Sequence, residues 1–178
     1  MYLSKRAKED QTLWKGKYIS IRLLDGWYEY LHDGTSKLVV VLGYRRLGKD
    51  AWEYLGRYEN CPPHKDGITL CALTGGIEEN EKPLHAALRE LKEESGLVYD
   101  SYDSEIKYLG TLRPSKASDS TAYLFAVDLS NVPNQEKYVG KGDGTKGEVG
   151  SYCKWISRNE AINSKDPLLI SAVSRLGF

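Results

Sequence analysis

Apolar and polar positions change period several times along the chain, and each change marks an element. From Tyr18 to Leu24 and from Trp27 to Leu31, aromatic and branched residues alternate with polar ones on either side of Asp25-Gly26, which predicts two strands joined by a turn. Lys37 to Tyr44 is apolar almost throughout, as in a strand covered on both faces. Cys61 to Gly67, with Pro62 and Pro63, reads as a loop, and Ile68 to Leu73 as a short strand. The period then lengthens to that of a helix. It starts near Pro83, which suits a first turn, and ends at Gly96, which suits a left-handed stop. Strands at Glu105 to Leu112 and Ala122 to Asp128 flank a polar loop, Arg113 to Thr121. Val139 to Gly150 holds five glycines and predicts a second loop. Tyr152 to Ile156 is a last strand, Ser157 and Glu160 fit a capping box, and Asp166-Pro167 caps a final helix. Met1 to Lys15 carries no such pattern and is expected to fray. Strands before, between and after helices predict an α/β architecture, with helices on both faces of a mixed sheet.

Composition narrows this picture only slightly. The 178 residues predict a single unit spanning 1–178, with residues 1–35 as a β extension. A chain of that length buries roughly 70% of its unfolded surface and needs no metal or disulfide staple. The 25 basic and 25 acidic residues cancel, so no field favours nucleic acid or an anionic membrane. An anionic ligand therefore needs a local arrangement or a bound cation. Cys61, Cys71 and Cys153 form no C-x-x-C pair, which suggests free thiols rather than a zinc site. Together with the absence of an apolar leader or an 18-residue apolar run, the thiols lead us to expect a cytoplasmic setting.

Gly75 to Leu97 carries the chemistry. On a wheel of about 100° per residue, Glu94 and Glu93 fall about 40° and 60° to either side of Glu90, while Leu84, Leu88 and Leu91 gather on another face. Like charges at these spacings repel. Three carboxylates together suit a hard divalent cation, which offsets that repulsion and serves as a Lewis acid toward phosphate oxygens. The same pattern would also arise on a solvated acidic face. The acids are expected to be exposed, so Glu94→Gln should cost turnover with little loss of folding.

This segment resembles the signature of the Nudix hydrolases, G-x5-E-x7-R-E-U-x-E-E-x-G-U, where U is a bulky aliphatic residue. Gly75, Glu81, Arg89, Glu90, Leu91, Glu93, Glu94, Gly96 and Leu97 fill its nine defined positions. The resemblance implies a Nudix-type α/β/α sandwich with a small N-terminal β layer, and Mg²⁺ or Mn²⁺ as cofactor. It assigns Glu90, Glu93, Glu94 and the carbonyl of Gly75 to the metal. Arg89 would act in the catalytic set by pairing with Glu81 and holding Glu90. The reaction implied is hydrolysis of a nucleoside diphosphate derivative, with Glu93 or Glu148 as the base that receives a proton from water.

Thr74 to Glu81 is similar to the A-G-L-I-D-x-G-E of the ADP-ribose pyrophosphatase branch, with departures at Thr74 and Gly76. That branch carries a proline beyond the box, for which Pro114 stands 17 residues after Leu97. It also has an N-terminal β layer that helps form a homodimer. Trp27 is the candidate there for stacking on adenine, against the plainer roles of a core or interface tryptophan. ADP-ribose is thus the leading substrate. Dinucleoside polyphosphates, nucleotide sugars and nucleoside triphosphates stand as alternatives, because loops set specificity. A non-catalytic nucleotide sensor is the rival class. Such a domain usually loses box acids or carries a DNA-binding domain, and neither is expected here.

Overall fold

The computed structural model describes residues 9–49, 51–65, 67–99, 106–142 and 149–177. Three strands open the chain: β1 (Asp10–Lys15), β2 (Ile19–Leu24) and β3 (Tyr28–Asp33), in an antiparallel sheet of that order. β1 corrects the expectation of a frayed terminus. Its sequence, Asp-Gln-Thr-Leu-Trp-Lys, has no alternation of its own, and β2 supplies its ladder from Asp10↔Leu24 to Lys15↔Ser20. Arg22 and the Tyr30 hydroxyl both meet the Asp10 carboxylate, at 2.8 and 3.0 Å. The partner is the next strand of a hairpin, so the pattern of the Asp10–Lys15 segment alone carries no mark of it.

Among the described residues, the larger sheet has seven strands built around β4 (Lys37–Arg46), which pairs in parallel with β9 (Thr121–Asp128). β5 (Trp52–Asn60) lies between β4 and β10 (Tyr152–Ser157), and β8 (Ile106–Leu112) closes the other edge. The predicted strand at Ile68 to Leu73 is two strands. β6 (Ile68–Cys71) follows β5, and β7 (Leu73–Gly76) switches to β4. Ala72 sits at the switch, where its amide donates to the Asp166 carboxylate at 2.6 Å. Because β4 alternates, Val39 and Val41 face helix α1 (Pro83–Ser95), with Ala86, Ala87 and Leu91. Val40, Leu42 and Tyr44 face the opposite core, with Ala161 of α2 (Arg158–Ile162) and Leu169, Ala172 and Val173 of α3 (Pro167–Leu176). Helices therefore cover both faces of a mixed sheet. No helix of the described residues is long and apolar enough to cross a membrane.

The small sheet docks on the loop that follows β8. Leu31 donates to the Ala117 carbonyl at 2.8 Å, Tyr28 Oη to the Lys116 carbonyl at 2.8 Å, and His32 meets Asp119 at 2.6 Å. At the other end, the capping box of α2 forms as predicted, with Ser157 and Glu160 bonding each other's amides. Ser157→Ala is expected to destabilise the protein by about 1 kcal/mol in urea unfolding. The bonds from Ser157 hold the Glu160 carboxyl below its ordinary value. That contribution is full above the unfolded carboxyl value and fades as pH falls through the lowered one, so the gap between variant and parent should narrow in acid.

Candidate active site

Helix α1 places two of its three acids inward. The sequence pattern puts the leucines on the buried face, but the deeply buried residues are Ala86, Ala87, Glu90, Leu91, Glu94 and Ser95. Leu84 and Leu88 are half-buried at the margin. Two adjacent alanines let the helix approach β4 and β7 closely, and Glu90 and Glu94 lie in the same stripe. The expectation of an exposed acidic face is therefore wrong for these two, which are 8% and 9% exposed. Glu93 lies at the rim, half-buried.

Each inward carboxylate is held by an arginine. Arg89 Nη1 donates to Glu90 Oε1 at 2.6 Å and to Glu93 Oε2 at 3.2 Å. The same guanidinium makes a two-pronged contact with Glu81, both bonds at 3.0 Å, and reaches the Gly76 carbonyl at 2.8 Å. Such forked geometry orients as well as binds. The guanidinium lowers the ordinary value of the Glu81 carboxyl. Glu94 pairs with Arg57 of β5 at 2.7 Å and accepts from the Thr74 amide at 3.1 Å. Burial pushes the Glu90 carboxyl up, and the Glu94 carboxyl well up, with the arginines opposing.

Arg57 was not singled out in the sequence. It is buried, and its Nε also donates to Glu59 at 2.8 Å. The signal lay in parity. Along β5, Leu55 faces the α1 core, so Arg57, two residues on, faces it as well. An arginine at an inward position calls for an acid opposite.

Gly75 lies in β7 opposite Val39, and a Cβ built there would overlap the Glu90 carboxylate. Thr74, Gly75, Gly76, Glu78, Arg89, Glu90, Glu93 and Glu94 line one cavity of about 380 Å³. Its donors are all oxygen, which fits a hard divalent cation.

The glycine-rich loop is pinned beside these acids. Gly140 and Gly142 amides donate to the Glu94 and Glu93 carbonyls at 3.2 and 2.8 Å, satisfying the end of α1 beyond its left-handed Gly96 cap. Gly142 and Gly150, the described flanks of the loop, line a cavity with Arg57, Glu93 and Glu94. Glu148 lies outside the described residues. Trp27 stands at the β2–β3 turn, 75% exposed and edge-on to Tyr28, so it is no core residue. Pro114 lies in the loop on which β3 docks. Among the described residues, neither Trp27 nor Pro114 lines the carboxylate cavity.

Residues 46–173 match the NUDIX domain family. The chain belongs to the Nudix family. The RNA pyrophosphohydrolase of Bartonella henselae is 34% identical over 92 residues, a match covering 46% of this chain and 53% of that protein. The chain thus spans about half the length of this curated relative. A crystal structure of an ADP compounds hydrolase superposes with a TM-score of 0.67, covering 99% of this chain and 94% of the other at 16% identity. That likeness is one of fold, and it takes in the N-terminal sheet as well.

Proposed function

We propose that the chain is a pyrophosphohydrolase dependent on Mg²⁺ or Mn²⁺, and that it cleaves ADP-ribose to AMP and ribose 5-phosphate. The observation that carries this reading is the convergence of Glu90, Glu93 and Glu94 on one cavity, with Arg89 and Arg57 fixing the two inward acids. Glu90, Glu93, Glu94 and Gly75 would hold the cation. When bound, it neutralises pyrophosphate charge and acidifies water. Arg89 keeps Glu90 oriented through Glu81, and the rim position of Glu93 gives it access to a proton from water. Glu148 is the other candidate for that proton, because the flanks of its loop are anchored at the site. Glu148→Gln is expected to lower kcat at least about tenfold with KM nearly unchanged, and to remove the acidic limb of the pH–rate profile. An unchanged profile assigns the proton to Glu93.

Cation binding should show in stability. Burial raises the values of Glu90 and Glu94, so without a cation these groups cost stability as pH rises through those values. A bound cation removes that cost. The rise in Tm produced by Mg²⁺ should therefore grow as pH rises above the ordinary carboxyl range.

We take residues 1–178 as one unit that acts as a homodimer in the cytoplasm. The small sheet leaves Trp14, Tyr18, Trp27 and Leu31 exposed, and a three-stranded sheet gains from covering such a face. Exposure of Trp27 also supports stacking on adenine, with the Pro114 loop beside the same sheet. A second reading, removal of pyrophosphate from an RNA 5′ end, is favoured by the similarity to the Bartonella protein. Product analysis with Mg²⁺ on ADP-ribose, NADH, diadenosine polyphosphates, nucleotide sugars, nucleoside triphosphates and a 5′-triphosphorylated RNA tests both. A kcat/KM for ADP-ribose clearly above the rest supports the first. Preference for the RNA supports the second, and tight binding without turnover makes the chain a sensor.

A further inference from the structure

Cys61 and Cys71 are ten positions apart, and their spacing suggests no metal site. The fold brings them together. β6 returns along β5, so Glu59 pairs with Thr69 and Arg57 with Cys71, while Cys61 follows β5 at the start of the Pro62–His64 turn. The two sulfurs lie 3.7 Å apart, and the ligand atoms of Glu59, Cys61 and Cys71 all lie within 4.8 Å of one another. All three residues are half-buried and line a cavity of about 270 Å³.

We propose that Glu59, Cys61 and Cys71 bind a thiophilic divalent cation of the zinc type, at a site separate from the carboxylates of α1. Two thiolates about 2.3 Å from a tetrahedral zinc ion stand about 3.8 Å apart, so the sulfurs already hold the required separation. A disulfide would require them to close to about 2.05 Å. The third donor, a carboxylate, is one that zinc accepts, and the fourth position opens into the cavity. Thr69 Oγ1 donates to Cys61 Sγ at 3.2 Å, a bond that would orient and stabilise a bound thiolate. On binding, two S–H bonds break, their protons pass to solvent, and two metal–sulfur bonds and one metal–oxygen bond form without electron transfer. Glu59 is also a partner of Arg57, which holds Glu94, so the new site is linked to the catalytic one through a single guanidinium.

Cadmium provides a direct reading, because thiolates give an ultraviolet charge-transfer band that carboxylates do not. Reduced protein in excess Mg²⁺ should develop that band to one equivalent of Cd²⁺, and Zn²⁺ should displace it. Cys61→Ser and Cys71→Ser should abolish the band, Cys153→Ser should keep it, and Glu59→Gln should weaken Cd²⁺ binding at least about tenfold. Circular dichroism checks that each variant is folded. Absence of the band in folded, reduced protein overturns the proposal. So does a band that survives in Cys71→Ser, or a Cys61–Cys71 disulfide formed in air by a protein whose reduced form takes up no Cd²⁺.

Discussion

Glu94→Gln is expected to lower kcat by at least about 100-fold and to weaken the fold measurably, where the sequence pattern alone predicts only the first. The carboxylate is buried, bonded to Arg57 at 2.7 Å and to the Thr74 amide at 3.1 Å. Gln keeps a carbonyl acceptor for one of these contacts but no charge. Arg57 then keeps Glu59 as a charged partner. Breaking one side of a buried pair costs about 3–5 kcal/mol when the other charge is left alone, and Glu59 should hold the loss below that range. A double-mutant cycle with Arg57→Met separates the two roles of Glu94. If Glu94 serves only to balance Arg57, the double variant recovers both stability and turnover. If it also serves the chemistry, stability recovers in part while kcat stays low. Turnover near that of the parent in folded Glu94→Gln would remove Glu94 from the site altogether.

The box helix shows how far the sequence can be read. Its limits, Pro83 and Gly96, were legible because a fixed φ suits the first turn and a positive φ suits the end. Its rotation was not. Leucines dominate any hydrophobic count, yet the helix turns Ala86 and Ala87 to the sheet, since small residues permit the closest approach and bring two acids with them. Several strands of the sheet were legible, such as the unbroken run of β4, but β5 was not set out and β6 and β7 read as one strand. The order of its strands was not legible, because pairing such as β4 with β9 joins segments about eighty residues apart. At shorter range, the Cys61–Cys71 pair and strand β1 were missed as well. Each depends on what lies across a strand rather than along it.

Gly75 and Gly76 offer the sharpest contrast between neighbouring residues. Neither has the positive φ that would exclude a side chain on backbone grounds, so substitution is decided by space alone. A methyl group on Gly75 would overlap the Glu90 carboxylate, whereas one on Gly76 meets nothing within 4 Å. Gly75→Ala must therefore push Glu90 out of its place, away from the Arg89 contact at 2.6 Å, while the β4–β7 ladder keeps its backbone bonds. We expect Gly75→Ala to fold with a cooperative melt and to lose at least about 100-fold in kcat, as misplacement of about 1 Å near the chemistry does. It should also lose most of the Mg²⁺-dependent rise in Tm. Gly76→Ala should keep both within about twofold of the parent, because its carbonyl still accepts from Arg89 Nη2. Equal losses in the two variants would mean that this end of β7 needs glycine for its backbone. Full activity in Gly75→Ala would mean that the orientation of Glu90 does not govern the reaction.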